Sequence, residues 1–186
     1  GVQTCALPIF KKKTGNKKRP LGISSADDKL VQEVVRMILE SIYEGSFSVK
    51  SHGFRPNRSC HTALIQIRKT FTGAKWFIEG DIKGCFDNIN HKVLINILER
   101  KIKDSKFINI IRLFLTAGYV DDFKYNATYS GCAQGGIISP ILANIYLNEL
   151  DKKILEIKNI YDRIFSPVEY CLGIEQRRPL SLAKGL

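Results

Sequence analysis

The stretch Glu79-Gly80-Asp81-Ile82-Lys83-Gly84-Cys85-Phe86-Asp87 decides how this chain is read. It continues from Trp76-Phe77-Ile78, and aromatic and β-branched residues between Gly73 and Gly84 predict a buried strand over Trp76–Ile82. Asp81 falls at the end of that run, where a carboxylate is held rigidly yet faces an opening. Magnesium takes one or two protein carboxylates and fills its shell with substrate phosphates and water, so Asp81 is a candidate metal ligand. The plainer alternative is an aspartate that simply forms the turn. Phe86, five residues on, is placed to close one side of such a pocket.

Two further stretches carry chemistry. Gly131-Cys132-Ala133-Gln134-Gly135-Gly136-Ile137-Ile138-Ser139-Pro140 sets a glycine-flanked glutamine ahead of a helix start. Backbone N–H groups and a side-chain amide there suit a base or a phosphate, although a plain loop-to-helix junction has the same composition. Ser51-His52-Gly53-Phe54-Arg55-Pro56-Asn57-Arg58-Ser59 places two arginines around a rigid proline turn. The guanidinium fork matches phosphate oxygens, and a surface turn with incidental arginines is the alternative. His61 and His91 have no partner at metal-ligand spacing and read as cap or surface residues.

The surrounding sequence bounds the function. The chain has 186 residues, with 29 Lys/Arg against 18 Asp/Glu for a formal charge of +11. Residues 1–70 hold 13 Lys/Arg against 5 Asp/Glu, a net of +8, and six of those cations lie between Lys11 and Arg19. Such a balance points to a polyanionic partner, most often nucleic acid, with the Lys11–Arg19 run as a basic strand or hairpin tip near phosphate. Apolar residues at 44% suit a folded chain, and no apolar run approaches the roughly 18 residues that a membrane helix needs. Five scattered cysteines without a C-x-x-C pair read as reduced thiols in a cytoplasmic protein. Gly1–Phe10 does not read as a signal peptide; Val2–Ile9 resembles translated sequencing adapter, and residues 1–10 are expected to be a non-native leader outside the fold.

Periodicity predicts helices from Ser24, capped by Ser25 with Asp28 and carrying Leu30, Val34, Ile38 and Ile42 as its apolar stripe. Others are predicted from Ser59, with Ala63, Leu64, Ile67 and Phe71 on one face, over Val93–Ile102, and over Phe107–Leu115 behind a Ser105 cap. Tyr119–Ser130 reads as a hairpin, and Ser139-Pro140 opens a long apolar helix through Leu150. Strands mixed with helices, without strict βαβ alternation, indicate an α+β fold.

Four blocks in order, R-P-L-G-I (Arg19–Ile23), G-F-R-P-N-R-S (Gly53–Ser59), D-I-K-G-C-F-D (Asp81–Asp87) and Q-G-G-I-I-S-P-I-L-A-N (Gln134–Asn144), closely resemble a group II intron reverse transcriptase (maturase) over about Lys11 to Ile154. The resemblance implies a right-hand polymerase divided into fingers (residues 11–75) and a partial palm (76–154), with a tail (155–186) that departs from the family. Asp81 would be the first catalytic metal-binding aspartate, with the Ile82 carbonyl beside it on a metal. Phe86 would be the aromatic gate that crowds a ribose 2′-OH. Arg19, Lys29, Arg55 and Arg58 would face template and incoming triphosphate, and Gln134, Gly135 and Gly136 would line the nascent base pair. Ala133 stands where the family has proline.

The implied chemistry is two-ion Mg²⁺-assisted nucleotidyl transfer on an RNA template, with a DNA primer and deoxynucleoside triphosphates. It needs a Y-x-D-D hairpin after the glutamine block. Tyr119-Val120-Asp121-Asp122 spells that motif but precedes Gln134, so it is expected to be an ordinary connection. A fragment that lacks polymerase activity is expected, and a non-catalytic, intron-RNA-binding maturase role is the alternative.

Overall fold

The computed structural model describes residues 4–11, 18–71, 79–121, 124–132 and 135–171. In chain order the elements are β1 (Thr4–Lys11), β2 (Lys18–Ser24), α1 (Ala26–Tyr43), a 3₁₀ turn (Glu44–Ser46), α2 (Cys60–Thr70), α3 (His91–Lys101), α4 (Ser105–Thr116), β3 (Tyr119–Asp121), β4 (Lys124–Asn126) and α5 (Ser139–Cys171). The chain divides into two compact units. One contains Gly1–Phe47 and Ile82–Tyr146; the other contains Ser48–Asp81 and Leu147–Leu186.

The first unit holds a four-stranded mixed sheet in the order β2-β1-β3-β4. β1 and β2 pair antiparallel from Thr4↔Ser24 to Lys11↔Lys18. β1 meets β3 in parallel at Cys5↔Val120, and β3 pairs antiparallel with β4 from Tyr119↔Asn126 to Asp121↔Lys124. Thr4–Phe10, set apart in the sequence reading, supplies most of β1 and pairs with both β2 and β3. Leu7, Ile9 and Phe10 are strand formers, and a backbone beside an open edge satisfies its hydrogen bonds by pairing.

The helices start where the capping residues dictate. Ser25 Oγ accepts from the Asp28 amide at 3.2 Å, with Asp27 and Asp28 in the first turn favouring the positive end of the helix. Asn90 caps α3 by accepting from the Val93 amide. The cap of α4 is Asp104, one residue earlier than the expected Ser105, and its carboxylate accepts from both Lys106 and Phe107 amides. An ionised oxygen is the stronger acceptor at that position. α5 runs well past the expected Leu150. The strand expected over Trp76–Ile82 lies mostly outside the described residues, and 79–82 carry no regular structure.

The core of this unit joins α1, α3, α4 and the first turns of α5, with Leu39, Leu94, Leu98, Ile111, Leu142 and Ile145 fully enclosed. Tyr43 Oη reaches the Leu98 carbonyl, and the Lys101 ammonium lies 4.8 Å from the Tyr43 ring centre. α1 is the instructive helix. It buries Gln32, Val35, Leu39 and Tyr43, while the expected stripe of Leu30, Val34, Ile38 and Ile42 is exposed, Leu30 at 69%. Both sets recur at helical spacing, so periodicity establishes the helix without choosing its inner face. Leu39→Ala should therefore lower unfolding stability by about 2–5 kcal/mol, and Leu30→Ala by no more than about 0.5 kcal/mol. Urea midpoints for the two variants check the assignment.

Candidate functional site

Two of the sequence blocks meet within the first unit. Residues 83–88 form a tight turn in which Gly84, at φ +60°, offers its carbonyl to the Asp87 and Asn88 amides. Leaving that turn, the chain is laced to the start of the glycine-rich loop. The Cys132 amide donates to the Phe86 carbonyl at 2.7 Å, the Gly131 amide donates to the Ile89 carbonyl at 2.8 Å, and Ser130 Oγ reaches the Asp87 carbonyl at 3.3 Å. Phe86 is half-buried and packs against the core. Its backbone is thereby bonded three residues ahead of Gly135.

Gly131 makes this crossing possible. At φ +85°, a β-carbon there would lie 2.7 Å from both the Phe86 and Asp87 carbonyl oxygens. Both the backbone angle and the space exclude any side chain. The His91 ring at the start of α3 clamps the same residue from another direction, with Nε2 at 2.7 Å from the Gly131 carbonyl. Because a carbonyl only accepts, Nε2 carries the proton. The expectation of His91 as a cap or surface residue is thus replaced by that of a loop clamp.

The other side of the loop is held by Gln32, buried in α1. Its Nε2 donates to Ser24 Oγ at 3.1 Å, and its Oε1 accepts from the Ile137 amide at 3.0 Å. Gln32 was missed in the sequence, although a polar residue in phase with Val35, Leu39 and Tyr43 was a visible signal. Gly135 has φ +102° and is exposed, while Ala133 and Gln134 lie outside the described residues. Cys132, under the loop, is buried; burial first and the neighbouring Cys85 second push its thiol up to about 12.

The remaining candidates lie within their own units. Asp81 is exposed in the irregular stretch of the second unit, and Ile82 is exposed in the first. Lys29 is exposed on α1. Arg19 lies in β2, opposite Phe10. Arg55 is buried at 9% exposure, and its Nη1 donates to the Ser48 and Ser51 carbonyls at 2.7 and 2.8 Å. Arg58 is half-exposed and donates to the Val49 carbonyl. Tyr119–Asp121 forms β3; Asp122 lies outside the described residues.

A carboxylate oxygen at Asp81 and a carbonyl oxygen at Ile82 are hard donors that suit magnesium. Among the described residues, no group of three or more His, Cys, Asp or Glu could hold a metal ion, so a full carboxylate shell is not present there. No helix of the described residues is long and apolar enough to cross a membrane.

With the geometry in place, comparison with known proteins identifies the class: the family model for reverse transcriptase (RNA-dependent DNA polymerase) matches residues 10–165, and the chain belongs to that family. The match begins where the leader was expected to end and runs past Ile154, the expected limit of the family pattern. Within the family the similarity is to group II intron proteins. The chain is 60% identical over 152 residues to the group II intron-encoded protein LtrA of Lactococcus lactis, covering 82% of this chain and 25% of LtrA. It is 54% identical over 150 residues to a 91 kDa protein in the cob intron of Schizosaccharomyces pombe, covering 81% and 19%. Nuclear intron maturase 1 of Arabidopsis thaliana is 31% identical, covering 75% and 27%. The chain thus spans about a quarter of the length of these relatives.

Gly131→Ala should cost about 2–3 kcal/mol of stability, read as a lower urea midpoint, since a methyl group would part the loop from the Phe86 carbonyl. Cys132 gives a pH test. In the unfolded chain its thiol ionises near 9.0, whereas the folded state holds the proton up to about 12. The fold therefore gains stability that is complete below the lower value and is lost as pH rises through this window. Denaturation midpoints should fall between those values in the parent chain, and fall less in Cys132→Ala.

Proposed function

We propose that this chain supplies the fingers (residues 11–75) and N-terminal palm (76–154) of a group II intron reverse transcriptase, whose complete form acts on an RNA template, a DNA primer and deoxynucleoside triphosphates. The observation that carries the reading is the lacing of Phe86–Ile89 to Ser130–Cys132. It supports a pocket in which a half-buried aromatic ring and the Gly135-Gly136 backbone address the same incoming nucleotide. In that pocket Phe86 crowds the ribose 2′ position and selects deoxynucleotides. Gln134 and Gly135 meet the nascent base pair, and the Gln32 and His91 hydrogen bonds fix the loop that bears them.

Asp81 and the Ile82 carbonyl are the residues that would hold magnesium, which when bound supplies the electrostatic stabilisation of nucleotidyl transfer. The complete centre of two ions needs further carboxylates beyond these. Arg19, Lys29 and Arg58 act as cations toward template and triphosphate phosphates. Arg55 contributes by holding the turn that presents Arg58.

A second reading, a maturase segment that binds intron RNA without catalysis, is favoured by one observation. Residues 45–78 contain six Lys/Arg and no Asp or Glu. The test measures two activities of the purified chain. RNA binding should be strongly salt-dependent, and Asp81→Ala should leave it within about twofold, because phosphate contacts by Lys and Arg set it. Primer extension with Mg²⁺ should be undetectable. Extension by the purified chain would overturn the expectation that a further carboxylate pair is needed, and loss of its extension in Asp81→Ala would then assign Asp81 as that enzyme's metal ligand. Absence of RNA binding would overturn both readings.

A further inference from the structure

Phe54 stands in an arrangement that packing alone does not explain. It has φ +52°, in the left-handed region where a bulky aromatic residue is an outlier, and its side chain is 73% exposed. The left-handed backbone costs free energy, and an exposed phenyl ring forgoes the burial that ordinarily places it. A strained residue persists only where its surroundings over-determine it.

Here they do. Arg55 ties its guanidinium to the Ser48 and Ser51 carbonyls, and the Arg58 amide closes a turn on the Arg55 carbonyl at 3.2 Å. His52 is fixed by its Nδ1 at 2.8 Å from Thr62 Oγ1 and by its Nε2 on Gln66, both on α2. Ser59 and Thr62 then close a reciprocal capping box at the start of that helix. The loop is thus braced on both sides of Phe54, with the ring held out from it.

The charge around the ring selects its partner. Lys50 and Arg58 flank it in sequence, and the run from Gly45 to Ile78 carries no acidic residue. A braced, solvent-facing aromatic ring with a lysine and an arginine close by in sequence is the arrangement used to stack bases of single-stranded nucleic acid while lysine and arginine follow the phosphates. We infer that Phe54 is a stacking platform for an unpaired base of the RNA strand. This deepens the proposal above and rests on its RNA partner.

The test titrates the full 186-residue chain into a single-stranded RNA oligonucleotide bearing one 2-aminopurine, whose fluorescence is quenched by stacking. Phe54→Ala should weaken binding roughly 5- to 150-fold and reduce the quench, the range expected of one stacked base. Phe54→Tyr should restore both. The slope of log affinity against log salt should stay unchanged in Phe54→Ala, because stacking releases no counterions, and should become shallower in Arg58→Gln. Phe54→Gly controls for folding. Glycine accepts φ +52° without strain, so its melting midpoint should equal or exceed the parent's while RNA binding falls as in the alanine variant. If Phe54→Gly binds as tightly as the parent, or tyrosine fails to restore what alanine loses, the stacking platform is wrong. If the parent chain itself does not bind the RNA, the RNA partner is wrong, and the platform falls with it.

Discussion

At Gly131 two stretches of backbone approach so closely that no β-carbon fits between them, and the candidate nucleotide site depends on that contact. The residue brings the Cys132 amide to the Phe86 carbonyl and its own amide to the Ile89 carbonyl. Without them, the turn that carries Phe86 and the loop that carries Gln134 would be separate surface features. Gly131 is also the point that His91 clamps, so one residue takes hydrogen bonds on both its N–H and its C=O. The glycine is needed for conformation and for space, two demands that only glycine satisfies together.

The rest of the first unit can be understood as support for that crossing. The core of α1, α3, α4 and the start of α5 fixes Ile89, Cys132 and Ile138 on either side of it. Gln32 extends the support from the core into the loop. It is a buried amide with a donor and an acceptor both engaged, which is what allows a polar residue to sit in phase with Val35 and Leu39 at little cost. A hydrophobic residue of the same size would fill the space and leave the Ile137 amide without this partner.

The second unit follows a different logic. Its loop from Ser48 to Ser59 has little apolar packing and is held by side chains bonded to backbone carbonyls: Arg55 to Ser48 and Ser51, Arg58 to Val49. Arginine suits this because its planar fork can serve several acceptors at once. The same two residues that look like a phosphate site in the sequence are therefore also the braces of a turn, and Phe54 is the residue the turn displays.

The amino-acid sequence by itself determined the family, the helices and their caps at Ser25 and Ser59, because these rest on local chemistry: a side-chain oxygen three residues from an amide, or ordered motifs with their own spacing. It also located the three stretches that carry the candidate site. Only the tertiary structure decided which of two apolar stripes on α1 turns inward, that Thr4–Lys11 pairs as a strand, that Asp104 and not Ser105 caps α4, and that His91 and Gln32 hold the glycine loop. Apart from the Asp104 cap, a choice between neighbouring acceptors, each of those depends on a partner far away in sequence. Helical periodicity measures spacing along one helix and carries no information about where the remainder of the core will stand.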